Sequence, residues 1–167
     1  DMAVERGATI LAEILGGAST ADAHHITAPS PGGIGAITCM RIALEEAGVE
    51  PDQVRHINAH GTSTPLNDMA EAFAMAEVFG PDGPLVTSTK GITGHALGAA
   101  GAIEAVAVVL AMGSKLIPPT AGYATADPEM PPINLVAGSP AQWEPGISMS
   151  NSFGFGGHNG SLGIAPA

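Results

Sequence analysis

Positive charge is scarce in this sequence: 167 residues carry five Lys plus Arg against sixteen Asp plus Glu, for a formal net charge of −11. Five cations cannot track a phosphate backbone, which excludes nucleic acid as a partner and disfavours an anionic membrane surface. Cysteine is almost missing. The single Cys39 allows no intramolecular disulfide framework and no cysteine-based zinc site, and it suits a reducing compartment, the cytoplasm. No basic-then-apolar leader opens the sequence, and no uninterrupted apolar run reaches the ~18 residues of a membrane span. The richest stretch, 99–112, is interrupted by Glu104. What is abundant is Gly (23) and Pro (14), and these cluster in motifs, which points to tight turns in a globular domain.

Hydrophobic periodicity predicts alternating strands and helices. A strand over 9–15 ends at Gly16-Gly17 and a loop covers 19–35. A helix follows over 36–47, with Ile37, Met40, Leu44 and Ala47 on one face and Gly48 as its stop. A strand over 54–59 leads to a helix over 66–79 whose apolar stripe is Leu66, Met69, Phe73 and Ala76. After a strand over 85–88, a helix over 97–112 is apolar on both sides, with Ile103, Val106, Ala107 and Leu110 along one of them, as expected of a helix buried twice over. A Pro-rich connection over 118–145 holds a short strand at 133–136, and strands over 147–152 and 161–165 close the pattern. This order predicts one α/β domain over 1–167, a five-stranded mixed sheet with helices on both faces, parallel first and antiparallel at the end.

Chemistry-bearing residues concentrate in three segments: NAHGTSTP (58–65) after one strand, STKGITGH (88–95) after the next, and SNSFGFGGHN (150–159) between the last two. Loops at the carboxyl ends of parallel strands gather at one edge, so the strand order alone predicts that His60 and His95 approach one another. Zinc is not expected, because no HExxH motif is present, and the Gly-rich GFGG lacks the GxGxxG pattern and following helix of a nucleotide loop.

In these segments, together with the run STKGITGHALGAAGAIE and the ending NSFGFGGHNGSL, the chain resembles the β-ketoacyl-acyl-carrier-protein synthases, the condensing enzymes of fatty-acid synthesis. The likeness runs from about Glu5 to Gly163. It implies the C-terminal half of a thiolase-like enzyme of the elongating branch, which joins an acyl thioester to malonyl-ACP with loss of CO2. The half bearing the acyl-accepting Cys would lie outside this sequence. Cys39 does not replace that residue, since it falls inside an ordinary helix. NAHGTSTP favours fatty-acid synthesis over modular polyketide synthases, which commonly read EAHGTGTP. The sequence departs from the family at Asn67-Asp68, where Gly-Asp is common; Asn tolerates positive φ, so a turn is expected there.

The resemblance carries roles onto residues. His60 and His95 would donate N–H bonds to the thioester oxygen as decarboxylation makes an enolate. Neutral imidazoles suit that task, and burial together with the helix following His95 would disfavour their charged forms. Lys90 would organise charge beside the second histidine, with Glu104. The backbone N–H of Phe155 would serve the oxyanion hole. Thr62 and Thr64 would hold the phosphopantetheine arm, and Phe153 and Phe155 would gate the acyl pocket. Asn58, Glu104, Ser150 and Asn151 match positions that surround a structural monovalent cation, Na+ or K+, in some relatives; no organic cofactor is expected. Implied partners are acyl carrier protein, the N-terminal half and a second copy of the full enzyme, but no nucleic acid and no membrane. Two other readings stay open: a non-catalytic module binding acyl carriers or pantetheine, and a polyketide ketosynthase fragment. The acyl chain-length preference is hidden.

Overall fold

The protein's structure, a computed structural model, describes residues 2–167. Helices and strands alternate: α1 (Met2–Glu5), β1 (Ala12–Ala21), α2 (Ile34–Ala47), β2 (Val54–Asn58), α3 (Pro65–Phe79), β3 (Leu85–Thr87), α4 (Lys90–Thr93) and α5 (Ala100–Ser114). Strands then dominate: β4 (Leu116–Ile117), β5 (Asn134–Leu135), β6 (Ala141–Gln142), β7 (Ile147–Gly154) and β8 (His158–Pro166). The main sheet has six strands in the order β1-β8-β7-β2-β3-β5, one more than expected, because β5 pairs parallel to β3; β4 and β6 form a separate ribbon. β7, β2 and β3 are neighbours and parallel, whereas β8 runs antiparallel to both β7 and β1.

Each face of the sheet carries its own core. On one side Met40, Ala43 and Leu44 of α2 and Ala74 and Met75 of α3 close over Ile57 and Met149. On the other, Val108 and Met112 of α5 pack with Ile117, Val136, Trp143 and Ile164. Met40, Ile57, Met149 and Ile164 are fully buried, each stabilising the fold by about 1.5–3 kcal/mol. Local signals set the helix ends. Pro65 occupies the first turn of α3, where its missing N–H costs nothing. Gly48, at φ 64, ends α2 with its N–H turned back to the carbonyls of Glu45 and Leu44.

Three expectations fail. The first strand does not stop at Gly16-Gly17: β1 starts at Ala12 and runs through both glycines, with a register shift between Ile14 and Gly16. A side chain on Gly16 would sit 2.6 Å from the backbone N of Ala47, so this glycine lets α2 lie close on the strand and makes no turn. The stripe expected to bury α3 is turned outward; Leu66 and Phe73 are exposed, and Glu71, Ala72, Ala74 and Met75 are buried instead. Likewise Ile103, Val106 and Leu110 of α5 face solvent, while Ala100, Glu104, Val108, Ala111 and Met112 face the sheet. The window Leu97–Ser114 is long and apolar enough to cross a membrane, with mean hydropathy 1.8, but within this fold it packs on the sheet through Glu104 and its neighbours.

His56, 1% exposed, sits in β2 with Nδ1 3.3 Å from Ser148 Oγ and its ring edge-on to Trp143, centroids 5.5 Å apart. Burial pushes its imidazole down to about 4. The neutral form is therefore favoured by folding. That stability is present above the unfolded value near 6.5 and is lost as pH falls towards 4, about 3 kcal/mol in all. Denaturant unfolding at pH 7 and pH 4 should show a loss about 3 kcal/mol greater for the wild type than for His56→Phe. Equal losses would show that His56 is protonated at no cost.

Candidate active site

Because β7, β2 and β3 are parallel neighbours, the segments after Asn58, Thr87 and Gly154 leave the sheet at one edge. β1 points the same way, so the loop from Asp22 joins them. His60 and His95 meet there with ring centroids 5.4 Å apart and planes at 85°, and Phe153 lies edge-on to His60 at 6.1 Å. The Thr62 and Thr64 hydroxyls are 2.9 Å apart. Phe155 is 78% exposed.

The two histidines differ in surroundings. His60 is buried, and that burial, followed by the charges of Lys90 and His95, holds its imidazole down to about 3. It is neutral at any physiological pH, as expected. His95 is exposed, and α5 begins only at Ala100, after a short 3-10 turn at Leu97–Ala99. Contrary to expectation, His95 is therefore neither enclosed nor placed at the N-terminus of α5. Its ring is set by a local bond instead. The Leu97 N–H donates to His95 Nδ1 at 3.2 Å, which leaves the proton of the neutral ring on Nε2. Leu97 reaches that position at φ 52, and Ser63, in the other histidine loop, lies at φ 61. Left-handed non-glycine residues cost about 1–3 kcal/mol, and here both sit within three residues of a site histidine.

Lys90 and Glu104 form a buried ion pair, joined on the Glu104 side by the Ser152 hydroxyl at 3.5 Å. Burial pushes the Glu104 carboxyl upward, and the Lys90 ammonium pulls against it. Lys90→Met would leave Glu104 buried and uncompensated. We expect it to destabilise the fold by about 3–5 kcal/mol, with Lys90→Met/Glu104→Leu recovering most of that. Urea unfolding of the two variants decides this; a double variant no better than the single one would mean that the pair is not the source of the cost.

Asn58, Ser150 and Glu104 lie on the α5 side of the sheet, Asn58 opposite Ser150 in register. The Asn58 amide is buried with neither Oδ1 nor Nδ2 partnered, a free oxygen that suits a hard cation. Asn151 departs from that set. Its side chain turns to the α2 side, where Oδ1 accepts from Ser161 Oγ at 2.8 Å and Nδ2 meets Met40 Sδ. His56 and His60 are four residues apart, yet among the described residues no three metal-ligating His, Cys, Asp or Glu side chains gather.

Two other residues at this edge, Asp22 and Glu71, escaped the sequence reading. Asp22 anchors the Gly-rich segment: its N–H donates to Gly157 O at 2.8 Å, and its carboxylate accepts from Asn159 Nδ2 at 2.7 Å and from the Ser30 N–H at 2.8 Å. Burial raises the Asp22 carboxyl, but these bonds outweigh it and leave it below its ordinary value. Gly156 and Gly157 adopt φ 79 and 73, which the turn over Asp22 requires. Glu71, 2% exposed, accepts from the backbone N–H groups of His60 and Gly61. Asn67 is not in a positive-φ turn but in the first turn of α3, with its amide on Asp68 and Glu71.

Comparison with known proteins fits this geometry. Residues 11–124 match the family described as beta-ketoacyl synthase, C-terminal domain. The 3-oxoacyl-[acyl-carrier-protein] synthase 2 of Synechocystis sp. is 46% identical over 97% of this chain, which covers 39% of that protein. Among solved structures, a beta-ketoacyl synthase from Burkholderia phymatum superposes with TM-score 0.95 at 37% identity, over 99% of this chain and 40% of its own. A type II polyketide ketosynthase in complex with its acyl-carrier protein gives TM-score 0.93 at 35% identity, over 99% and 41%. This chain thus spans about two-fifths of the length of the proteins it matches.

Proposed function

The chain belongs to the β-ketoacyl synthase family, in that family's C-terminal domain, and from this premise we propose that it is the C-terminal part of a 3-oxoacyl-acyl-carrier-protein synthase II-like acyltransferase. The observation that carries the reading is the His60–His95 pair, 5.4 Å apart, with His60 neutral and His95 held by Leu97 in the tautomer that donates from Nε2. Malonyl thioester would place its carbonyl oxygen between them. As the C–C bond to the carboxylate breaks and CO2 leaves, the electron pair passes into an enolate whose oxygen accepts both N–H bonds. The enolate carbon then attacks the acyl thioester, and the Cys thiolate departs. Lys90 and Glu104 fix charge behind His95. Thr62 and Thr64 hold the pantetheine arm, Phe153 and Phe155 gate the acyl side, and the Phe155 N–H completes the oxyanion hole.

In this reading the N-terminal half supplies the Cys and covers the α5 side of the sheet, where Ile14, Val106, Leu110 and Leu162 are exposed. The carrier docks mainly on that half. Carrier proteins are acidic, this chain is at −11, and Arg41 and Lys115 are taken up by Glu77 and Glu144. Support for a carrier partner comes from the polyketide ketosynthase solved with its own. The complete enzyme acts as a homodimer in the cytoplasm, without nucleic acid, membrane or organic cofactor. A monovalent cation held by Asn58 Oδ1, Ser150 and Glu104 would brace strands β2 and β7 against α5. The polyketide neighbours favour, as a second reading, a ketosynthase of polyketide assembly. Full-length protein given malonyl-ACP and an acyl-ACP should release CO2 and form 3-oxoacyl-ACP, and residues 1–167 alone should bind a hydrophobic dye that the full-length protein does not. Release of no CO2, or a dye-negative 1–167, would count against the reading and its interface respectively.

A further inference from the structure

Among the described residues no lysine or arginine is exposed at the edge that carries the site. Arg6 and Arg55 stand before β1 and at the start of β2, strands whose opposite ends form that edge. Lys115 follows α5, whose 15 residues carry the chain about 22 Å away from the site. Arg41 and Lys115 are paired with Glu77 and Glu144, and Lys90 is buried against Glu104. The exposed groups here that become positive by taking a proton are histidines. Of the six in the sequence, His24, His25, His95 and His158 are exposed, all at this edge, while His56 and His60 are buried.

His24 and His158 share one lip. His158 opens β8 opposite Ala21, the last residue of β1, and His24 follows Ala21 by three residues. The Asp22 N–H donates to Gly157 O and the Gly156 N–H to Ile26 O, each at 2.8 Å, which ties the two segments together. A side chain on Gly156 would come 3.2 Å from the His158 ring, so that ring lies alongside the Gly-rich turn. Burial raises the Asp22 carboxyl, but bonds from Asn159 and Ser30 and, last, the charge of His24 bring it below its ordinary value, which puts His24 within electrostatic reach of Asp22. His25 differs: its Nδ1 accepts the N–H groups of Thr27 and Ala28, both at 3.1 Å, so its lone pair is already used within the turn. The other acidic groups on elements packed here are Asp68 and Glu71 of α3; β8 and the first turn of α2 bring none.

We propose that His24 and His158 form a proton-dependent docking lip for the acidic acyl carrier protein: once protonated, they give this edge the positive charge that no lysine or arginine supplies, and the carrier's acidic surface is drawn to the edge where its arm reacts. This lip rests on the reading of the carrier as partner, and it adds to the main docking surface on the N-terminal half. Histidine is the side chain whose ordinary charge change falls between about pH 5 and pH 8. With both imidazoles neutral the lip holds only carboxylates, which repel an acidic protein, and each proton gained reverses part of that repulsion. The attraction is electrostatic and surface-exposed, so salt screens it.

The test uses full-length protein as wild type, as the pair His24→Gln with His158→Gln, and as the pair His24→Lys with His158→Lys. Each is titrated with malonyl-ACP, with ACP lacking its arm, and with malonyl-pantetheine, at about pH 8 and about pH 6, in low and in high salt. For the wild type, Kd for both forms of ACP should fall about threefold to tenfold from the higher pH to the lower in low salt, and by less in high salt. The Gln pair should keep the weaker affinity at both pH values, and the Lys pair should show the tighter one at both. A Gln pair that tightens as the wild type does, a tightening that salt leaves untouched, or one that malonyl-pantetheine shows equally would overturn the lip. If the Gln pair does not fold, the Lys pair decides by the same comparison. Wild-type protein that binds ACP at neither pH overturns the carrier as partner and the lip with it, whereas ACP binding without the pH response overturns the lip alone.

Discussion

His60→Ala in the full-length protein should lower malonyl-ACP decarboxylation by about two to four powers of ten, the scale of a lost donor to a developing oxyanion. The cost should be high because His60 is buried with its ring 6.1 Å from that of Phe153, which limits replacement of the lost N–H by water. His95→Ala should lower decarboxylation on the same scale. Removing both should cost less than the product of the two, since both donors serve one oxygen. CO2 release under single-turnover conditions is the measurement, and near-native turnover by His95→Ala would remove the second donor from the mechanism.

Residues 1–167 on their own should form no 3-oxoacyl product at all, and Cys39→Ser should change nothing in any activity of the full-length protein. Condensation needs a thiolate that can be acylated. Cys39 is 0% exposed in the middle of α2, its Sγ is 3.5 Å from Ala18 O, and burial pushes its thiol upward. It is neither reachable nor ionised. Intact-mass analysis after incubation with an acyl thioester should find no acyl adduct on the 1–167 chain. An adduct that maps to Cys39, or product formed by this chain alone, would defeat the assignment of the nucleophile to another part of the protein.

The edge where the site forms was legible because it follows from strand order. Parallel β2 and β3 put His60 and His95 at the same end whatever the side chains do, and the motifs marked both residues. Lys90 with Glu104 was legible from the resemblance. What misled the reading was periodicity on elements with two sides to bury. Apolar residues at 66, 69 and 73, or at 103, 106 and 110, look like a core face, yet the sheet takes the smaller alanines and the buried glutamates. An outward apolar stripe and a core face have the same period, so the pattern alone does not tell them apart. Gly16-Gly17 read as a stop because glycine marks turns, whereas here the helix sits too close for a side chain. Glu71 went unnoticed because its partners are backbone N–H groups, which leave no trace in a list of side chains. An acid in the helix just after a histidine loop was the one available signal.

β8 joins β1 to the rest of the sheet, with Ala12 opposite Pro166 and Ala21 opposite His158. Among the described residues the first strand therefore has no hydrogen-bonding neighbour until residues 158–166 are available, and it waits while everything between them is made. Closing so long a loop is slow, since its entropy must be lost before the pairing repays it. Newly made chain should spend that interval with β1 and the face of α2 that receives it uncovered, exposed to chaperones and to aggregation. Ribosome-bound nascent chains should show protease resistance in β1 only after β8 has emerged, even when the α2–β2–α3–β3 segment is already protected.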